Sequence, residues 1–183
     1  MTQTHPRSDQ TYDLAIIGAG PVGTTLAILA AQRGFSVALV DARDPDVAPR
    51  PDTRTFAIVR GSWRLLGAAG VTDALCGSTE PLNGLEAVDG GTHWFGAPGV
   101  LFGNEDLPDD PDGQPLGQMV PAAALQAALD GTCADMEQIH WIRGKLFRDM
   151  KTGNAGAILT LSDETQISAR LVAACDGMKS AVR

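Results

Sequence analysis

Residues 18–23 could bind the phosphates of a nucleotide. They read Gly-Ala-Gly-Pro-Val-Gly and follow an apolar run, residues 14–17, that is short enough for a buried parallel strand. Gly18 permits a tight turn, Gly20 permits close approach of the backbone to a pyrophosphate, and Gly23 permits a helix to pack close to the strand. Free N–H groups at the start of that helix favour an anion. The spacing therefore predicts a pyrophosphate site in a strand–turn–helix unit.

A nucleotide-binding glycine motif of this kind is followed by an acidic residue at the end of the next strand, and this chain has one there. Pro21 suits the first helical turn, where a missing N–H costs little, and Val22 completes the predicted contact segment. A second predicted strand, residues 36–40, leads to Asp41, which lies 18 residues after Gly23. An acid in this place accepts hydrogen bonds from an adenosine ribose and repels a 2′-phosphate, which favours FAD or NAD over NADP. The alternative is a glycine-rich turn in an ordinary α/β domain.

Length, charge and cysteine use narrow the class of protein. The chain has 183 residues, which suits one domain or one and part of another. Its net charge of −8 argues against a general nucleic-acid surface. No run of 18 apolar residues predicts a membrane span, and residues 1–11 are polar, which predicts a flexible leader rather than a secretory signal. The chain has three cysteines, which lie far apart, and no histidine lies at a zinc-binding spacing from any of them. They predict buried reduced thiols in a cytosolic protein: Cys76, Cys133 and Cys175.

The rest of the chain predicts a mixture of elements. Helical spacing predicts an amphipathic helix over residues 53–70, with an extended start as an option, and a second helix over 119–129. Residues 85–88 and 100–102 are typical of antiparallel strands. Three further strand-like runs cover 139–149, 157–162 and 166–173, joined by turns that suit hairpins. The last run is the most apolar, and we expect it to return to the parallel sheet.

The end of the chain resembles a known family. Its last predicted strand ends in Asp176-Gly177, and Ser180 and Arg183 follow at set spacing. This pattern resembles the Asp-Gly fingerprint of single-component FAD-dependent aromatic hydroxylases. Shorter pieces make the chain most similar to the ubiquinone-biosynthesis hydroxylases, and the resemblance spans nearly the whole sequence. These pieces are residues 41–43, 54–58, 61–62 and 116–120.

The resemblance implies a fold and a division into domains. The expected fold class is α/β, a Rossmann-like GxGxxG domain that binds FAD, with inserted antiparallel strands from an incomplete substrate domain. Residues 12–80 and 117–183 would form the FAD-binding domain, with a β-meander at about 139–170, and residues 81–116 would begin the substrate domain. Members of the family continue for about as long again. The resemblance thus implies the N-terminal part of a longer protein, or a short degenerate gene, that would not be competent in hydroxylation by itself.

The resemblance also implies cofactor contacts and an activity. FAD would be the resident cofactor and NAD(P)H the reductant. The implied contacts are Gly18, Gly20, Pro21, Val22, Gly23, Asp41, Ala42, Arg43, Arg54, Gln118 and Asp176. No acid–base residue is predicted, because the flavin carries the chemistry. One departure stands out, since relatives often have an FAD-binding arginine after Val120 where this chain has only alanines.

The implied reaction is hydroxylation of an aromatic ring with dioxygen, and the implied substrate is a polyprenylated phenol of ubiquinone biosynthesis. Two alternatives stay open: another FAD-dependent aromatic hydroxylase or oxidoreductase, and a non-catalytic nucleotide-binding fragment. No nucleic-acid partner is expected. The implied location is the cytoplasm, with peripheral association at the inner face of the membrane or with a ubiquinone-biosynthesis complex as options.

Overall fold

The computed structural model describes residues 11–48, 52–91, 99–106, 113–178 and 180–182, and nearly all of the predicted leader lies outside these ranges. In chain order its helices and strands are β1 (Thr11–Ile17), α1 (Pro21–Ala31), β2 (Val37–Asp41), β3 (Thr55–Val59), α2 (Arg60–Ala68), β4 (Glu80–Leu82), β5 (Gly84–Val88), β6 (Gly99–Gly103), β7 (Gly117–Pro121), α3 (Ala122–Ala134), β8 (Ile139–Arg143), β9 (Phe147–Gly153), β10 (Gly156–Leu161) and β11 (Gln166–Ala174). The mixed α/β class predicted from the sequence is confirmed.

The chain divides into two compact units. The first unit combines Met1–Pro51 with Gln126–Arg183, and the second is Asp52–Leu125, so that α3 begins in the second unit and continues in the first. The predicted functional division, with residues 12–80 and 117–183 in one domain and 81–116 in another, stays a prediction.

A six-stranded sheet forms the first unit, in the order β8-β2-β1-β11-β10-β9. The strands β8, β2, β1 and β11 are parallel, and β10 and β9 continue the sheet as antiparallel neighbours. β1 and β2 carry near-continuous apolar runs, as strands buried on both faces do. The return of the last strand to the parallel sheet is confirmed, because Thr11 of β1 lies opposite Ser168 of β11.

The predicted meander at about 139–170 is wrong in its first part. The run 139–149 contains two strands, which separate after Gly144, a residue with a φ of +69°. β8 pairs with β2 at the far edge of the parallel sheet, and only β9, β10 and β11 form the meander. A glycine in the left-handed region allows the chain to turn between two strand-forming runs.

Two small sheets belong to the second unit. β7 lies between β3 and β4, and all three strands are antiparallel. β5 and β6 form a separate antiparallel pair, which confirms the strands predicted at 85–88 and 100–102.

The two predicted helices of this region begin later than expected. Residues 55–59 form β3, and α2 starts only at Arg60. Residues 117–121 form β7, and the helix predicted over 119–129 is α3, which starts at Ala122 and runs past Gly131 to Ala134. Phe56 and Val120 lie opposite each other in the β3–β7 pair, so pairing between distant residues overrides helical spacing.

The three cysteines differ in exposure. Cys133 is buried, Cys175 is half-buried and Cys76 is exposed, so the prediction of a buried thiol is wrong for Cys76. Burial and the nearby Asp130 raise the pKa of the Cys133 thiol to about 12, although Arg143 acts in the opposite direction.

Candidate functional site

The three motif glycines have different surroundings in the turn between β1 and α1. Gly18 has a φ of +99°, and a Cβ there would lie 2.5 Å from the carbonyl oxygen of Cys175. A Cβ at Gly23 would lie 1.9 Å from the carbonyl oxygen of Gly18, which shows how closely α1 packs on the turn. By contrast, a Cβ at Gly20 would meet no atom within 4 Å among the described residues. The turn therefore leaves open space at the position predicted to face a pyrophosphate.

The helix after the turn begins as the motif predicts. Gly20 is the N-cap of α1, and Pro21 occupies the first helical position. Val22 is 72% exposed, which is unusual for an apolar residue in the first turn of an otherwise buried helix. The N-terminal N–H groups of α1, with the helix dipole, are suited to an anion beside Gly20.

Asp41 joins the end of β2 to the glycine turn. Its Oδ2 accepts a hydrogen bond of 2.6 Å from the backbone N–H of Ala19. Its Oδ1 accepts from the backbone N–H of Arg43 at 2.7 Å and from Arg43 Nε at 2.9 Å. Each carboxyl oxygen has two lone pairs, so Oδ2 keeps one acceptor position for a further donor such as a ribose hydroxyl.

The carbonyl oxygen of Ala19 receives three donors. They are Arg43 Nη2 at 2.7 Å, Thr24 Oγ1 at 3.0 Å and Gln126 Nε2 at 3.1 Å. Gln126 also donates to Asp130 Oδ1 at 2.6 Å, and Asp130 Oδ2 lies 3.7 Å from Arg43 Nη1. Sequence reasoning missed Thr24, Gln126 and Asp130.

A cavity of about 270 Å³ is lined in part by Asp41, and it brings together residues from four segments of the first unit. Gly18, Asp41, Ala42 and Asp176, all predicted site residues, line it. Lys145 and Leu146, which the sequence did not single out, also line it. The lining also includes Ile17, Val40, Phe147 and Ala181.

Asp176 presents one occupied and one vacant oxygen. Its Oδ2 accepts a hydrogen bond of 2.7 Å from the backbone N–H of Ala181, whereas Oδ1 is buried and has no hydrogen-bond partner in the described part of the chain. Burial opposes ionisation of this carboxyl group, but the nearby donor groups of Ser180, Ala181 and Val182 outweigh it and lower the pKa. Asp176 is thus a carboxylate at neutral pH, with an acceptor available for a donor in the cavity.

Two predicted site residues, Arg54 and Gln118, belong to the second unit. Arg54 lies just before β3, not on a helix. Its side chain is 73% exposed and contacts Asp52 at 2.7 Å. Gln118 lies on β7 and helps to line a second cavity, of about 330 Å³, with Arg60, Trp63 and other residues of that unit. Their contact with a flavin stays a prediction, and Arg183 of the C-terminal motif lies outside the described residues.

The residues present fit FAD as the resident cofactor. Gly20 leaves space for a pyrophosphate next to the first N–H groups of α1. Asp41 keeps an acceptor for the adenosine ribose, and the vacant Oδ1 of Asp176 offers another. Gly18 of the turn lines the same cavity as these two carboxyl groups, and we call the turn, Asp41 and Asp176 together the polar surface.

The fold and this surface define an FAD-binding domain of the Rossmann-like, GxGxxG type. The comparison with known families agrees, because the family described as FAD binding domain matches residues 11–183. The chain belongs to this family, and it corresponds to the N-terminal part of flavin-dependent hydroxylases.

Two enzymes are similar in sequence to nearly the whole of this chain. Ubiquinone hydroxylase UbiL from Rhodospirillum rubrum is 31% identical over 178 residues, covering 96% of this chain and 39% of the relative. The 3-(3-hydroxy-phenyl)propionate/3-hydroxycinnamic acid hydroxylase of a Mycobacterium species is 27% identical over 184 residues, covering 100% of this chain and 31% of the relative. The chain therefore spans about a third to two fifths of the length of these relatives.

A solved structure shows that the fold is shared at low identity. CabE, an aromatic hydroxylase from angucycline biosynthesis, superposes with a TM-score of 0.73 over 95% of this chain and 32% of its own, at 19% identity. Among the helices of the described ranges, none has the length and apolar character needed to cross a membrane.

Proposed function

We propose that this chain is part of an FAD-dependent monooxygenase that hydroxylates an aromatic ring. The observation that carries the proposal is the polar surface formed by the open glycine turn, Asp41 and the vacant Oδ1 of Asp176. Family membership supports FAD as the ligand of this surface.

The residues of the chain bind and orient the cofactor. Asp41 would hold the adenosine ribose, the N–H groups after Gly20 would hold the pyrophosphate, and Asp176 would accept from a hydroxyl of the ribityl chain. Arg43 would keep Asp41 in position, and Arg54 and Gln118 would contact the flavin part. Bound FAD would supply the redox chemistry, taking a hydride from NAD(P)H and activating dioxygen.

For the substrate we propose a polyprenylated phenol of ubiquinone biosynthesis, with the reaction in the cytoplasm and peripheral attachment to the inner face of the membrane. The similarity to UbiL of Rhodospirillum rubrum supports this substrate class. The mycobacterial relative supports a second candidate, a hydroxylase of small phenolic acids.

The test begins with an FAD titration of the purified chain, followed by fluorescence quenching. NAD(P)H oxidation is then measured with a prenylated phenol and, separately, with 3-(3-hydroxyphenyl)propionate, and products are identified by mass spectrometry. Saturable FAD binding is expected. A hydroxylated prenyl phenol supports the first substrate class and a hydroxylated phenylpropionate supports the second. Absence of FAD binding would contradict the proposal, whereas FAD binding without any hydroxylated product agrees with the expectation that the chain is not competent in hydroxylation by itself.

A further inference from the structure

The two peptide groups on either side of the Ala19 Cα are both held by hydrogen bonds, the first through its N–H and the second through its carbonyl. The N–H of Ala19 donates to Asp41, and the carbonyl of Ala19 receives Thr24, Arg43 and Gln126. Thr24 is fully buried and lies in α1, which directly follows the turn, so its hydroxyl is a local contact. Gln126 is different, because it reaches the turn from α3, 107 residues further along the chain.

The direction of the Ala19 carbonyl decides where the next N–H points. The Ala19–Gly20 bond is trans, and in a trans peptide the C=O and the N–H point in opposite directions. Because Gln126, Arg43 and Thr24 hold the carbonyl on one side, the N–H of Gly20 is directed to the opposite side. Gly20 also borders the open space that no side chain fills.

Gln126 is itself held in place. Its amide donates to Asp130 one helical turn further along α3, and the other oxygen of Asp130 lies 3.7 Å from Arg43. Arg43 in turn donates to Asp41 and to the same Ala19 carbonyl. These contacts form a closed ring of Ala19, Asp41, Arg43, Asp130 and Gln126, which we call the carbonyl ring.

We propose that Gln126 and Asp130 are positioning residues for pyrophosphate recognition. Through the carbonyl ring they orient the Ala19–Gly20 peptide so that the N–H of Gly20 faces the phosphates of the cofactor. This inference rests on the proposed function, since it requires that the surface at Gly20 binds a dinucleotide. It assigns to α3 a part in cofactor binding although the helix carries only alanines in its first turn.

The proposal predicts that a substitution of Gln126 weakens the binding of ligands that contain a pyrophosphate and not of ligands that lack one. Gln126→Leu removes the amide and keeps a similar volume. We expect the Kd for ADP and for FAD to rise about 3- to 30-fold, because part of one charge-assisted hydrogen bond, from the Gly20 N–H to the pyrophosphate, is lost. The Kd for adenosine should stay within about twofold, because Asp41 keeps its bond to the Ala19 N–H. The bound ADP should also show a changed ³¹P chemical shift.

The experiment measures ADP, FAD and adenosine binding by calorimetry and NMR titration. It compares the unmodified chain, Gln126→Leu, Asp130→Ala and the double variant. Gln126→Asn, whose amide is one carbon too short, should weaken ADP binding as Gln126→Leu does. The double variant should lose no more ADP affinity than the worse single variant, because both act through one ring. Gln166→Leu, at an exposed position on β11, is the matched control and should bind like the unmodified chain.

Each outcome has a distinct meaning. Unchanged ADP binding in Gln126→Leu and Asp130→Ala would overturn the proposal. Equal weakening of adenosine and ADP, together with a lower melting temperature of the ligand-free chain, would also overturn it, because it indicates only a structural role. If the unmodified chain binds neither FAD nor ADP, the proposed function itself fails.

Discussion

Gly20 and Gly23 lie in the same turn but differ in their tolerance of a side chain. Gly20 has a φ of −72° and free space around it, so Gly20→Val should fold. We expect a loss of about 1 kcal/mol from the poorer N-cap, which corresponds to a fall in melting temperature of about 2–4 °C. FAD affinity should fall at least about tenfold, because the valine fills the space meant for the pyrophosphate. Calorimetry with FAD and a thermal melt measure both effects, and full FAD binding by Gly20→Val would show that the pyrophosphate lies elsewhere.

Gly23→Ala should show the reverse order of effects. The added Cβ would lie 1.9 Å from a backbone oxygen, so α1 must move away from the turn. We expect a loss of stability of about 1–3 kcal/mol or more, visible in the thermal melt without any ligand. A Gly23→Ala protein as stable as the unmodified chain would contradict the close packing of α1 on the turn.

The cysteines provide a test of burial at single residues. Cys76 is exposed, whereas burial raises the pKa of the Cys133 thiol to about 12. At pH 8 we expect a thiol reagent to label Cys76 within minutes and Cys133 only after unfolding, since the thiolate is the reactive form. Mass spectrometry of digested samples distinguishes the sites. Early labelling of Cys133 in the folded protein would contradict its burial.

At the level of single residues, the sequence is enough to predict the residues of the glycine motif but not the side chains that hold them in position. Gly18, Gly23 and Asp41 were predictable because strand, turn and acid follow each other within one short segment. Gln126, Asp130 and Lys145 were not, because nothing in their local sequence distinguishes them from ordinary surface residues. Their roles arise only when α3 and the β8–β9 connection fold against residues about a hundred positions away.

Two connections of the six-stranded sheet are linked by an ion pair. Lys145, between β8 and β9, contacts Asp163, between β10 and β11, and the backbone of Leu146 bonds to Ser162. Hydrogen bonds from Lys145, and then from Thr165, lower the pKa of Asp163 to about 2. Lys145 also lines the cavity next to Asp41, so the link supports one wall of the candidate site.

The link predicts a pH dependence of stability. Because the pKa of Asp163 is lowered by folding, its stabilising effect is present above the ordinary pKa of 3.8 and is lost as the pH falls toward about 2. Asp163→Asn should therefore melt below the unmodified chain at pH 5–7, and the difference should shrink between pH 4 and pH 2. Asp149→Asn, at an exposed position on β9, is the control. A difference that does not vary with pH would contradict the ion pair.

The elements were predicted well where their partners are close in the sequence. The hairpin turns between β9, β10 and β11 are local, and the apolar run of β1 predicts its buried strand without knowledge of its partners. The predicted helices included residues 55–59 of β3, with an extended start as an option, and residues 119–121 of β7. Residues 55–59 and 117–121 gain their strand character by pairing with each other, across more than fifty intervening residues. A short apolar run is compatible with both the helical and the strand periodicity. Only its pairing with a distant segment determines which structure forms.

The whole chain should tolerate removal of most of its second unit. The N–H of Ala122 donates to the carbonyl oxygen of Arg54 at 2.8 Å, so these residues are neighbours in space. Replacing residues 55–121 by a four-residue Gly-Ser linker should leave the first unit able to fold. We expect a β-rich circular dichroism spectrum, a cooperative melt and ADP binding close to that of the complete chain. A chain without cooperative unfolding would show that the first unit depends on Asp52–Leu125.

The pairing of β1 with β11 has a consequence for synthesis on the ribosome. β1 ends at Ile17 and has two neighbours, β2 and β11, of which the second is complete only at Ala174. At about 5–20 residues per second, roughly 8–30 s pass between the emergence of these two strands. During this time one edge of the nascent β1 has no partner, and its apolar residues are open to wrong association. Recruitment of a chaperone to the early nascent chain, and slow refolding governed by this distant pairing, are the expected results.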